Sequence, residues 1–296
     1  MLKKLKPYMM PISMIMGAVF HTFFGKLSFI TPYLIFIMLF LTFSNLKLQQ
    51  IKFNISHLWL LLLQLAGSIG VYLILQPINK TLAQGAMICV LAPTGTAAPT
   101  VTGMLGGSVA SITAYSLIIN IAVAIVAPAF FSLVGSYQQL PFIESFWFIG
   151  QRVFVLLLLP LFTIVLLRKW KPKVVERIGS SSGFAFYVWS VALVVVTART
   201  VDFMQMQPRS SYLLEIFIAL AALVVCISQF FAGRLLGKKY DDTIAMGQSF
   251  GQKNTILAIW MAQMFLNPLA SIGPGMYVVW QNIINSYQVW LNRKNL

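Results

Sequence analysis

The chain has 296 residues, 59% of them hydrophobic and only 9% charged, with a formal net charge of +15 at pH 7. So few charges over this length exclude a soluble domain. The positive charge is gathered at the ends of apolar runs, which excludes a nucleic-acid-binding patch and turns the charge into a topology signal.

Apolar runs long enough to cross a hydrocarbon core follow one another almost without a break, each needing roughly 20 residues. The short alternating segments of an outer-membrane barrel are absent. Lys3, Lys4 and Lys6 precede the first run. No small-x-small cleavage site follows them near "FHTFFGK", so this run reads as a span and not as a cleaved leader. Ten spans are predicted, at about 8–24, 28–46, 56–76, 82–104, 108–136, 142–167, 183–201, 211–236, 240–265 and 270–291. His21, in the first, and His57, at the start of the third, read as interfacial or packing histidines and not as metal ligands. Cys89 and Cys226 fall inside apolar runs and read as small buried hydrophobes.

The fourth span contains "LAPTGTAAPTVTGMLGG" (91–107). Pro93, Gly95 and Pro99 disrupt a continuous helix there, and Pro99 pushes Ala98 away from helical torsions. Thr94, Thr96, Thr100 and Thr102 place hydroxyls beside the break. Arg152, early in the sixth span, is expected to pair with an acid such as Glu144. The polar stretch "RKWKPKVVERIG" (168–179) is the longest connection. The ninth span contains "GQSFGQKNT" (247–255), where Gly247 and Gly251 loosen a helix that also carries Ser249, Gln252, Lys253, Asn254 and Thr255.

Lysines and arginines divide unequally between the two faces of this topology. Lys3, Lys4, Lys6, Lys47, Lys52, Arg168, Lys169, Lys171, Lys173, Arg177, Arg234, Lys238, Lys239, Arg293 and Lys294 share one side; Lys26, Lys80, Arg199 and Arg209 share the other. The positive-inside rule then puts both termini in the cytoplasm, and a multi-pass bacterial inner-membrane protein is expected. Two sets of five spans, 1–140 and 141–296, have opposite orientation, the layout of an inverted repeat. Each broken span is the fourth of its set. Interrupted spans at matching places point to a transport site, because backbone freed from helix inside a bilayer must line a cavity or be satisfied by protein. New helix N-termini suit an anion and freed carbonyls suit a cation.

These stretches resemble the bile acid:sodium symporter family. Its fourth helix reads like C-P-G-G-T-x-S-N and here stands "APTGTAAP" (92–99), followed by "GGSVASIT" (106–113). Its ninth reads E-x-G-x-Q-N and here stands "SFGQKN" (249–254). Its W-x-N in the tenth is similar to "VVWQNIIN" (278–285). The resemblance implies an all-α polytopic fold of ten helices in two inverted repeats. Discontinuous helices 4 and 9 cross in a core domain of helices 3–5 and 8–10 (about 56–136 and 211–291). A panel domain of helices 1–2 and 6–7 (about 8–46 and 142–201) lies beside it, with substrate in the cleft between. It implies transport of organic anions, usually with sodium.

The departures from the family pattern fall on its sodium ligands. The family's glutamate corresponds to Ser249, its glutamine to Lys253, and its S-N pair to Ala98 and Pro99. A hydroxyl ligand early in the fifth helix falls on Ile112 and a later one on Ser116, while a glutamine of the third is retained as Gln64. The six acids, Glu144, Glu176, Asp202, Glu215, Asp241 and Asp242, all lie in loops or near span ends, so none is available at the midplane. A sodium ion there would have a lysine as neighbour, which is electrostatically unfavourable.

Lys253 lies about fourteen residues from Lys239, near mid-depth for a straight helix, where an ammonium costs a few kcal/mol or more. One reading makes it a built-in cation in the sodium space near Gln64 and the broken-helix carbonyls, with proton-linked transport if it alternates between charged and neutral. A second pairs it with an anionic substrate. A third lets it snorkel to an interface. The function expected is secondary transport of small organic anions by alternating access, independent of sodium. Thr94, Thr96, Thr100, Thr102, Gln252 and Asn254 are the substrate contacts; Lys253, Gln64, Ser249 and Ser116 form the cation site or its replacement. The alternatives are a sodium-coupled organic anion or bile acid symporter and an anion channel. An enzyme is not expected, since a catalytic His, Asp or Glu constellation is missing. No cofactor or metal is expected, and the partners expected are the substrate and membrane lipid around a monomer, without nucleic acid.

Overall fold

The structure is a computed structural model; it describes residues 9–45, 53–135, 140–179, 182–206 and 212–294. Lys3, Lys4, Lys6, Lys47, Lys52 and Arg209, used in the topology, lie outside the described residues. In chain order the helices are α1 (Met9–Val19), α2 (His21–Phe24), α3 (Thr31–Ser44), α4 (Ile55–Leu75) and α5 (Lys80–Leu91). Then come α6 (Ala98–Met104), α7 (Val109–Val134), α8 (Phe142–Trp170), α9 (Pro172–Gly179) and α10 (Ser182–Gln205). The chain closes with α11 (Tyr212–Lys238), α12 (Thr243–Gly251), α13 (Thr255–Phe265) and α14 (Ile272–Lys294). Gly25–Ile30 and Pro268–Ser271 form 3₁₀ turns.

The protein is an all-α membrane protein. Among the described residues no strand occurs, and six helical stretches are long and apolar enough to cross a bilayer. Many large apolar side chains point outward, among them Ile74, Phe162, Phe217 and Phe231. A soluble protein does not sustain so much exposed apolar surface; a hydrocarbon surround makes it favourable.

The chain divides into two compact units, residues 1–46 with 152–211, and 47–151 with 212–296. In the first, α10 packs on α1, α2 and α3. Gly17 admits the approach of Val194, whose carbonyl lies 2.5 Å from where a Cβ would stand. His21 Nδ1 meets Asp202 Oδ1 at 2.6 Å, and Arg168 donates to the Ser44 carbonyl at the end of α3 (3.0 Å). The polar connection 168–179 is helical: Arg168–Trp170 complete α8, and α9 buries Val175 while presenting Lys173, Glu176 and Arg177 outward. A charge-rich segment reads as a loop by composition, yet one buried apolar position is enough to seat it against α3.

In the second unit, α11 lies along α12, and α4 along α5. Gly233 faces Met246 and Gly247, and Gly237 faces Asp242 and Thr243. Small residues let the two backbones approach, the usual device for helix contact where lipid offers no hydrophobic drive. Gly85 and Gly273 do the same between α5 and α14. Caps fix the starts: Asn79 accepts from the Thr81 and Leu82 N–H groups, and Ser108 from that of Ser111 (3.2 Å).

Candidate functional site

The stretch read as the fourth span is two helices, α5 and α6, separated by residues 92–97. The stretch read as the ninth is also two, α12 and α13, separated by 252–254. The two gaps meet. Thr94 and Lys253 pair as an isolated antiparallel bridge. The Gly95 N–H donates to the Gln252 carbonyl and the Asn254 N–H to the Pro93 carbonyl, both at 2.8 Å. A Cβ on Gly95 would stand 2.8 Å from the Lys253 oxygen, so this approach requires glycine.

The local sequence explains why carbonyls are freed. Pro93 has no N–H and cannot return a helical bond to Cys89, and the extended turn at Ala92 (φ −50°, ψ 137°) carries Thr94 and Gly95 away from Val90 and Leu91. Every carbonyl from 89 to 93 has a donor from elsewhere. Gln229 Nε2 donates to Cys89 (3.2 Å) and Lys253 Nζ to Val90 (3.0 Å). Gln64 Nε2 donates to Leu91 and Ala92 (3.1 and 2.9 Å), and the Asn254 backbone takes Pro93. Gln64 is aimed by Tyr115, whose hydroxyl donates to its Oε1 at 2.8 Å.

The end of α12 is treated alike. Thr94 Oγ1 donates to the Ser249 carbonyl (2.8 Å), and Tyr277 Oη to that of Gly251 (2.7 Å). Gln281 brackets Lys253, accepting from its N–H (2.8 Å) and donating to its carbonyl (3.4 Å). The Lys253 side chain is 2% exposed. Its Nζ lies at the negative end of the α5 dipole and 5.0 Å from the centre of the Phe250 ring. Among the described residues it makes no ion pair.

The predicted substrate residues separate into groups. Thr94 is buried, with its hydroxyl already spent on Ser249. Thr96 is half-buried and Thr100 exposed. Thr102 Oγ1, Gln252 Oε1, Asn254 Nδ2 and Ser249 Oγ are buried and have no hydrogen-bond partner among the described residues. Buried polar atoms are nearly always hydrogen-bonded, so unsatisfied capacity is left beside both breaks. Asn254 also caps α13, its Oδ1 accepting from the Leu257 N–H (3.3 Å), which turns the positive end of that helix toward the break. Ser116 is buried on α7 with its carbonyl taken by Asn120 (2.6 Å), and no hydrogen bond links it to Lys253. Arg152 and Glu144 are both exposed, two turns apart on α8.

Gln229, Tyr277, Gln281 and Tyr115 are the residues that sequence reasoning missed. Only Gln281 carried a signal, from its place in "VVWQNIIN"; a lone polar residue in an apolar helix does not name its partner. His57 is not merely packed. Its Nδ1 accepts from the Asn54 N–H (3.2 Å), which leaves Nε2 to donate to Ser111 Oγ at 2.9 Å. The Ser111 hydroxyl in turn donates to Asp242 Oδ2. This chain ties α4, α7 and the start of α12 together. No group of three or more metal-ligating side chains exists among the described residues. No family model matches this chain, and no curated protein matches it.

Proposed function

We propose that the protein is a secondary transporter of small organic anions that works without bound sodium, the Lys253 ammonium taking the place of the ion. One observation carries this reading: Lys253 Nζ donates at 3.0 Å to a carbonyl freed by the break after α5, where a cation bound by neutral oxygens would otherwise sit. A fixed positive charge at the junction removes the need for a diffusible one and repels sodium at close range. The unpartnered Asn254 amide and the N-terminus of α13 offer donors to an anion beside it.

In this reading the protein is a divergent bacterial relative of the bile acid:sodium symporters. It has ten spans in two inverted repeats, with both termini on the cytoplasmic side of the inner membrane. The paired breaks at 92–97 and 252–254 support the broken-helix architecture, and the unit formed by 47–151 and 212–296 contains most of the expected core together with 142–151, the start of an expected panel helix.

The test is uptake of labelled mono- and dicarboxylates into proteoliposomes, with sodium or potassium as the only external cation. Counter-flow-stimulated uptake, equal in the two salts, is expected. Lys253→Gln should lower it at least about tenfold, since hydrogen bonds to charged groups contribute about 1.5–3 kcal/mol. A clear sodium requirement would overturn the replacement of the ion by Lys253, and large single-channel currents would overturn the carrier.

A further inference from the structure

A groove of about 500 Å³ runs between α4 and α11, lined by Trp59, Leu62, Leu63, Ala66, Leu236, Lys239 and Tyr240. We propose that this groove is a binding site for an anionic membrane phospholipid, with one acyl chain along α4 and the headgroup phosphate at Lys239 and Tyr240.

The lining has the polarity of such a molecule. Trp59, Leu62, Leu63 and Ala66 recur at i, i+3, i+4 and i+7, so they form one face of α4. Trp59 to Ala66 spans about 10 Å at 1.5 Å per residue. Leu236 lies in the last turn of α11, and Lys239 and Tyr240 follow that helix directly. The groove is therefore apolar along its length and carries an ammonium and a phenol at one end. Those two groups are the donors that a phosphodiester accepts from.

The position selects lipid over other occupants. Both helices are among those long and apolar enough to cross the bilayer, and Trp59, Leu62 and Leu63 are 51%, 48% and 39% exposed, so the groove opens toward hydrocarbon. A soluble partner could reach only its polar end. The polar end is formed by the start of α4 and the end of α11, the side to which the positive-inside rule assigns Lys238 and Lys239. The facing leaflet there is the anionic one, and a basic pocket between spans on that side is complementary to it. A second copy of the chain would bring the same basic cluster to an interface that already carries it.

Native mass spectrometry of the purified chain, mixed with equal amounts of phosphatidylglycerol and phosphatidylcholine, tests the proposal. The wild type should retain phosphatidylglycerol in preference. Lys239→Gln should lower the adduct ratio about fivefold, the ~1 kcal/mol that one basic side chain contributes near an anionic surface. Leu63→Trp, which fills the groove, should remove the preference, and Lys80→Gln, on the opposite face of the predicted topology, should leave it unchanged. Equal retention of the two lipids, or a preference that survives both Lys239→Gln and Leu63→Trp, would overturn it. A dimer that Leu63→Trp dissociates would overturn it as well, by making a second copy the occupant.

Discussion

Val90 and Lys253 meet at 3.0 Å, the Lys253 Nζ donating to a carbonyl that its own helix has abandoned. The contact places opposing energies on one side chain. Removing an ammonium from water into a bilayer interior costs about 2.5–3.5 kcal/mol by insertion measurements, while a hydrogen bond from a charged donor contributes about 1.5–3 kcal/mol. The two nearly cancel.

Lys253→Met removes the cost of the buried amine but strands the Val90 carbonyl, so it should lower stability by about 1–3 kcal/mol while abolishing uptake. Melting followed by intrinsic fluorescence, set beside transport in the same preparation, separates the two effects. A variant that fails to fold would make Lys253 a structural residue and sink the functional reading.

Gln64 holds two carbonyls with one amide and is itself aimed by Tyr115. Gln64→Leu removes the donor and strands both acceptors, so a loss of about 1–3 kcal/mol is expected. Tyr115→Phe only releases the aim and should cost less. Chemical denaturation in detergent reads the order; equal losses would show that Tyr115 acts by more than orienting the amide.

Two glycines are set by contact. A Cβ at Gly95 would stand 2.8 Å from the Lys253 carbonyl oxygen, and one at Gly251 would overlap the Phe230 ring. Gly251→Ala should destabilise by about 1–3 kcal/mol, and Phe230→Leu should restore part of it. The obstacle at Gly95 is backbone, so no side-chain change should rescue Gly95→Ala. Thermal melts of the single and double variants check both; rescue of Gly95→Ala by an outside side-chain substitution would contradict the packing described.

Ser111 sits between His57 and Asp242, accepting from one and donating to the other. If the three act as one unit, the losses from His57→Ala and Asp242→Asn should be non-additive, coupled by roughly 0.5–3 kcal/mol. In a Ser111→Ala background the coupling should vanish. Strict additivity in the wild-type background would show that the chain of hydrogen bonds transmits nothing.

Much of this site was legible because breaking a helix leaves a local mark. Pro93 and Gly95 fall in the gap 92–97 and announce it without any tertiary information, whereas Pro99 lies in the first turn of α6, and Gly247 and Gly251 lie within α12, where they face Arg234 and Phe230. Lys253 announced itself by charge alone. The donors that complete the junction were not legible. Gln229 and Tyr277 each sit in an apolar helix that would read the same with a leucine there, and only the packing of α11 and α14 against α5 and α12 reveals what they hold. The same limit hid the His57–Ser111–Asp242 chain, whose members are spread over 186 positions, since sequence spacing carries no sign of which span ends lie side by side. The helix α9 escaped for the opposite reason: its composition resembles a solvated connection, and its amphipathic seat on α3 depends on one buried valine.

The Gly95–Gln252 and Asn254–Pro93 bonds run from main chain to main chain. Exchanging the polar side chains around them leaves both donors and both acceptors in place. The joint can therefore keep its main-chain connection while the chemistry displayed on it is rewritten, which gives one scaffold the latitude to adopt a new way of balancing charge by a handful of substitutions.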